Sequence, residues 1–263
     1  MLPGMALGDV MDLLAQYMVA MLRIGAFLVA SPVFGGRFVP LPIRILATVA
    51  IALPVMTQAP LPAPEVIADL KFVAVIMAEL TLGLVAGLVL TILFGAAALA
   101  GDRIASTAGL GFAAQFDPAA GGQTPVVSQI FGLFLLSVFL GSDGHLTAIR
   151  MILETYQTLP VGSSFSPAVL TTAGLEAGAI MFSLGASIML PVVAVLLLLN
   201  IVIGVLTRSA PQLNVFSFGF PITMTATMLL LYAFAPGLIG SFADLLETAL
   251  DMLGAMLGAL HHG

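Results

Sequence analysis

The stretch "FVAVIMAELTLGLVAGLVLTILFGAAALAG", residues 72–101, carries one charge, Glu79, in thirty positions. A helix needs roughly 20 apolar residues to cross a bilayer, so this run is long enough to span and to extend beyond. A second window, Ala177–Leu206, has no charge at all. Across the 263 residues, 60% are hydrophobic and 8% charged, which leaves too little polar surface to cover a soluble globule of this size. The fold class that follows is all-α and integral to a membrane, with lipid or other apolar protein as the surrounding medium.

The start of the chain, "MLPGMALGDVMD", holds Asp9 and Asp12 where a cleavable signal peptide would hold Lys or Arg, so retention of this segment is expected. Cysteine is absent, which excludes disulfides, thiolate metal sites and cysteine nucleophiles. Seven basic residues, scattered singly, are not the footprint of a nucleic-acid binder.

Reading apolar runs between proline, glycine and charge predicts helices near 13–34, 43–57, 70–101, 126–153, 176–206 and 213–236, then an amphipathic stretch to about 260. Arg37 and Arg44, Arg103, and Arg208 fall in alternate connections, which the positive-inside rule places in the cytoplasm. The other connections hold Asp9, Asp12, Glu65, Asp69, Glu154 and Glu176, while Lys71 and Arg150 oppose the pattern. The expected topology puts both termini outside.

The lengths fit a simple bundle poorly. Thirty helical residues extend roughly 45 Å against a hydrocarbon core of about 30 Å, and the 43–57 run reaches only about 22 Å. Pro54, Pro191, Pro221 and Pro236 lie within or at the edge of apolar runs, where a missing N–H and a ring clash kink a helix unless neighbouring protein satisfies the freed carbonyls. Helices broken in this way belong inside a packed assembly.

Gly83/Gly87, Gly174/Gly178 and Gly254/Gly258 have the i, i+4 spacing that lets helix backbones approach closely; abundant glycine, 27 residues, explains any one pair equally well. Glu79 shares a face with Gly83 and Gly87, so its carboxylate should point toward protein and away from lipid. Arg23 is the nearest available countercharge. Two readings stand: the two side chains pair, directly or through water, or each meets a different subunit or a wet cavity.

Catalytic patterns are weak. "GSDGH" at 141–145 sets Ser142 and His145 three apart on a glycine-flanked break, with no nucleophile elbow before them; a polar helix break whose side chains cap backbone groups explains it better. "GLGF" at 109–112 lacks the strand and lysine of a phosphate loop. His145, His261 and His262 have no metal-ligand spacing, and no metal or cofactor is expected. Glu79, Glu176 and Arg23 are what a proton-coupled transporter would need, but clear inverted repeats are missing.

The segment "GDRIASTAGLGFAAQFDPAAGGQTP", 101–125, is too rich in glycine for one regular helix and too apolar for a solvated loop. Non-helical backbone at membrane depth requires protein or a water-filled passage around it. Phe112 and Phe116 would then form either an apolar constriction that closes a pore by dewetting or the buried anchor of a re-entrant packing loop.

Four motifs in order, "RIGAFLVASPVFGGRFVPLPIR" (23–44), "GLGFAAQFDP" (109–118), "FLGSDGHLTAIRMILETYQTLPVG" (139–162) and "APQLNVFSFGFP" (210–221), resemble the FliR family, the R subunit of the flagellar type III export gate, and its virulence-secretion counterparts. The wording of the last two motifs leans flagellar. The resemblance runs from about residue 10 to 250 as a single unit spanning 1–263. It implies a P-like portion over about 1–175 and a Q-like helical hairpin over about 176–263, packed with FliP and FliQ around a conduit for unfolded export substrates. It also implies contacts with FlhB and FlhA at the cytoplasmic base, and a place in the bacterial inner membrane at the flagellar basal body, with part of the gate on the periplasmic side.

On that resemblance the loop holding Gly109, Gly111, Phe112, Phe116, Asp117, Pro118, Gly121 and Gly122 is a pore plug. Arg208, Pro211, Gln212 and Asn214 form a cytoplasmic turn that ends one helix and starts the next, while Phe216, Phe218 and Pro221 pack on neighbouring subunits. The chain itself would be no enzyme. Family gates seal with methionines of the P subunit, and the 14 methionines here form no matching cluster, so adaptable packing is their expected role.

Overall fold

The computed structural model describes residues 7–36, 38–67, 69, 72–110, 125–210 and 218–261. Among these, nine helices and no strand are found: α1 (Leu7–Ala30), α2 (Leu41–Ala52), α3 (Val55–Gln58), α4 (Pro64–Ile67), α5 (Phe72–Thr107), α6 (Val126–Gly141), α7 (Gly144–Thr158), α8 (Pro167–Ser209) and α9 (Phe220–His261). The all-α expectation therefore holds. By length and composition, α1, α5, α8 and α9 can each cross a membrane, and α6 with α7 counts as a fifth span if the bent pair is taken together.

Three differences from the sequence expectations have physical causes. The run expected over 126–153 is split at Ser142 and Asp143, where Asp143 takes a left-handed conformation (φ 57°). Its backbone carbonyl accepts from the Leu146 and Thr147 amides at 3.0 Å each, the first bonds of α7, and from the Thr147 hydroxyl at 3.3 Å, while the Asp143 side chain makes no cap hydrogen bond. The 213–236 run and the amphipathic stretch after it are one helix, α9, with Pro236 inside it; α8 likewise runs through Pro191. A proline interrupts the ladder at one rung, and long apolar flanks carry the helix past it. Pro54 does end a helix, standing between α2 and α3, and Pro221 sits in the first turn of α9, where no donor is required of it.

The chain forms two compact units built from discontinuous segments. The first draws on residues up to Ile92, on Ser142–Ala177 and on residues from Thr248. Its interior includes Ala20, Ile24, Phe27 and Leu28 of α1, Leu82 and Ala86 of α5, and Ile152 and Tyr156 of α7, all buried. The second unit takes Leu93–Gly141 and Gly178–Glu247. Its core joins Ala97 and Ile104 of α5, Phe131 and Leu135 of α6, Val192 and Leu196 of α8, and Phe242 of α9. Phe242 meets Phe131 edge-on at a centroid distance of 5.5 Å, a favoured arrangement of ring quadrupoles.

Candidate functional site: a buried arginine node and the roots of two loops

Arg23 lies wholly inside the first unit, 0% exposed, and Glu79 is 3% exposed. The guanidinium meets the carboxylate in two parallel bonds: Arg23 Nε donates to Glu79 Oε2 at 2.7 Å and Nη2 donates to Oε1 at 3.0 Å. This is the fork geometry that only arginine offers a carboxylate. Two more N–H groups are engaged, since Nη1 donates to Thr155 Oγ1 at 2.7 Å and Nη2 to the Leu159 carbonyl at 3.0 Å. Tyr156 lays its ring 4.4 Å from the guanidinium carbon and donates its hydroxyl to the Ala20 carbonyl at 2.8 Å. One arginine on α1 thereby ties α5 and the end of α7 to itself. Burying two charges costs several kcal/mol each unless they are paired and further hydrogen-bonded, and here the charges are paired and four of the five guanidinium N–H groups are bonded.

The α1–α5 contact continues along one stripe of α5. A Cβ at Gly83 would overlap the Arg23 carbonyl oxygen and stand 2.9 Å from Ala26 Cβ, and one at Gly87 would lie 2.7 Å from Ala30 Cβ. One turn further on, Thr91 donates to the Ala30 carbonyl at 2.6 Å. Glu79, Gly83, Gly87 and Thr91 are spaced at i, i+4, so a single face supplies an ion pair, two gaps for the α1 backbone and a hydroxyl clasp. The other glycine pairs behave differently: among the described residues nothing lies within 4 Å of a Cβ built at Gly174, Gly178 or Gly258, and one at Gly254 meets Met151 alone, at 3.7 Å.

In the second unit α5 ends in a Schellman motif. Gly109 takes φ 81°, its amide donates to Ser106 O at 3.1 Å, and the Leu110 amide donates to Ala105 O at 2.9 Å. Glycine fits because the position after a helix cap is left-handed. Two further carbonyls at this helix end are satisfied from outside the helix: Asn200 Nδ2 donates to Thr107 O at 3.0 Å and Thr223 Oγ1 donates to Ala108 O at 3.1 Å. The N-terminal end of α6 is held to the same helix, where Ser128 Oγ donates to Ala98 O at 2.7 Å and a Cβ at Gly101 would come 2.5 Å from Ser128 Cα.

Of the plug-loop residues, Gly109 is thus placed as a helix cap; Gly111, Phe112, Phe116, Asp117, Pro118, Gly121 and Gly122 lie outside the described residues. So do Pro211, Gln212, Asn214 and Phe216 of the cytoplasmic turn. Arg208 is exposed in the last turn of α8, where a cation complements the helix dipole. Phe218 is 37% exposed, and Pro221 opens α9. Sequence reasoning missed Thr91, Thr155 and Tyr156 around the node, and Asn200 and Thr223 at the loop root. For Asn200 a signal existed: it is the one carboxamide in the Ala177–Leu206 run. For Thr155 and Tyr156 there was none, because only the fold brings them beside a residue more than 130 positions away.

No group of three or more His, Asp or Glu able to hold a metal occurs among the described residues. What the geometry defines is a membrane-embedded helical protein whose buried polar groups fasten helices together. The chain belongs to the bacterial export proteins, family 1, whose model matches residues 14–249. It is similar to the flagellar biosynthetic protein FliR of Pectobacterium carotovorum subsp. carotovorum, 32% identical over 255 residues and covering 96% of each chain. The FliR of Escherichia coli (strain K12) is 33% identical over 230 residues, 87% of each chain, and that of Aquifex aeolicus (strain VF5) 31% identical over 229, covering 86% of this chain and 87% of the relative.

Proposed function

We propose that this chain is the R subunit of a flagellar type III export gate in the bacterial inner membrane, forming with FliP and FliQ the passage for unfolded flagellar proteins. The carrying observation is its end-to-end similarity to FliR proteins, 96% of both chains in one case. The helix dimensions support it: α8 and α9 have 43 and 42 residues, roughly 60 Å each, about twice a hydrocarbon core. Large apolar side chains on them are more than half exposed, among them Leu198, Ile201, Leu229 and Tyr232. Such helices want lipid over part of their length and protein over the rest.

In this reading residues up to about 175 are the P-like portion and 176–263 the Q-like hairpin, whose turn, with Arg208, faces the cytoplasm beside FlhB and FlhA. Part of the gate stands on the periplasmic side. The loop after Leu110 is the plug: its glycines let it leave the axis, while Phe112 and Phe116 exclude water and ions when it is home. The subunit performs no catalysis, and the energy for export acts on other proteins.

The competing reading, a stand-alone proton-coupled transporter, needs a carboxylate that can gain and lose protons from a wet cavity. Glu79 instead holds both oxygens against Arg23 in a buried site, which disfavours it. Co-purification separates the two: the gate reading expects a large complex with FliP- and FliQ-like proteins, the transporter reading a monomer or small homo-oligomer active in liposomes. Within the gate, Phe112→Ala with Phe116→Ala should raise the ion conductance of the closed state, and unchanged conductance would sink the plug assignment.

A further inference from the structure

On the outside of the first unit, α1, α2 and α5 enclose a groove of about 490 Å³, within the roughly 300–1,000 Å³ typical of ligand clefts. Gly25 and Ala26 line it together with Met18, Ile45 and Leu84, the last three being 40–51% exposed. Among the described residues that line it, Arg44 alone is charged. The guanidinium is held by backbone carbonyls: Nε donates to Val39 O at 3.1 Å, and Nη2 to Gly36 O at 2.8 Å and Gly35 O at 3.4 Å. None of these bonds uses Nη1, and no carboxylate among the described residues forms an ion pair with Arg44.

An apolar trough with a fixed cation on its wall that no described carboxylate neutralises selects between possible occupants. A wholly apolar helix would fill the trough and leave the cation in low dielectric without a counter-ion, which is costly. A detached anion would meet the cation and leave the trough empty. A molecule with a hydrocarbon tail and an anionic phosphate meets both demands, and the surrounding bilayer contains it at high concentration.

We propose that this groove holds an acyl chain of an anionic phospholipid whose phosphate is gripped by Arg44. The inference needs this face of α1, α2 and α5 to meet lipid, and its test reads lipid retention, which is separate from the co-purification test of the export-gate reading. The lipid would brace α2 against α1 and α5, where Gly25 of α1 faces Thr48 of α2: a Cβ built at Gly25 would lie 3.2 Å from Thr48 Cγ2.

The test uses the purified full-length chain and native mass spectrometry with added phosphatidylglycerol or phosphatidylcholine. Wild type should retain phosphatidylglycerol about fivefold better, the order expected for one basic residue at an anionic headgroup. Arg44→Gln should abolish the preference and Arg44→Lys should keep it. Ile45→Trp, which fills the trough and leaves Arg44 untouched, should lower retention of both lipids, and it decides the matter should Arg44→Gln not fold. Equal retention of the two lipids by wild type, or undiminished retention by Ile45→Trp, would overturn the proposal. So would a photo-crosslinker at position 45 that captures a protein segment and no lipid in intact membranes.

Discussion

Gly83 sits directly beneath the main-chain carbonyl of Arg23, so close that the smallest side chain would overlap it. The residue that carries the buried charge on α1 is therefore also the residue against which α5 must have no side chain. Backbone contact and ion pair fix one another: separating the helices to admit a methyl group would also stretch the fork between Arg23 and Glu79.

Gly83→Ala should accordingly destabilise the protein by about 2–3 kcal/mol, the upper part of the usual range for overpacking, because the obstructing atom is backbone and cannot swing away. Gly174→Ala, in a helix position with no described residue within 4 Å of the added Cβ, should be neutral or gain up to about 1 kcal/mol from helix propensity. Thermal unfolding of the purified chain distinguishes them, and equal behaviour of the two variants would refute the close-contact argument.

At the node, Arg23→Ala and Glu79→Ala should each cost about 3–5 kcal/mol, since each strands a buried charge. Arg23→Met with Glu79→Leu should be better tolerated than either single change. The reversed pair, Arg23→Glu with Glu79→Arg, should recover only part of the loss, because the Leu159 carbonyl and the Thr155 hydroxyl would then face a carboxylate. A double-mutant cycle in detergent measures the coupling, and a coupling energy near zero would remove the node from the account of stability.

Asn200→Ala and Thr223→Val should loosen the end of α5 without unfolding the helix. Each leaves a carbonyl without its side-chain donor, an effect of about 1–3 kcal/mol where water cannot replace it. Hydrogen exchange of the Ala108–Leu110 amides should rise in both variants while the amides around Leu90 stay protected. A uniform rise throughout α5 would mean that these bonds act globally and not at the loop root.

Asp143 makes a different kind of prediction. Its side chain makes no cap hydrogen bond while its backbone is left-handed, so Asp143→Gly and Asp143→Asn should be well tolerated. Asp143→Val should cost about 1–2 kcal/mol through the steric penalty of a β-branched residue at positive φ. Melting temperatures of the three variants check the order, and a loss in Asp143→Asn as large as in Asp143→Val would return the role to the carboxylate.

Composition and local pattern determine a good deal about this protein. The charge-poor runs over 72–101 and 177–206 are sufficient to declare membrane helices, because no water-exposed surface tolerates them. The i, i+4 placement of Glu79, Gly83 and Gly87 points one face of α5 at protein, because helical geometry is local. Four colinear motifs carry the family. The tertiary structure alone decided that Arg23 closes on Glu79, that Thr155, Leu159 and Tyr156 complete its shell, that Gly83 and Gly87 receive α1 while Gly174 and Gly178 stay open, and that Asn200 and Thr223 hold the end of α5. Helical periodicity reaches only four residues along a chain, whereas these contacts join positions 56 to 136 residues apart. Their partners follow from how apolar faces pack, and many sequences of equal hydropathy would pack them otherwise.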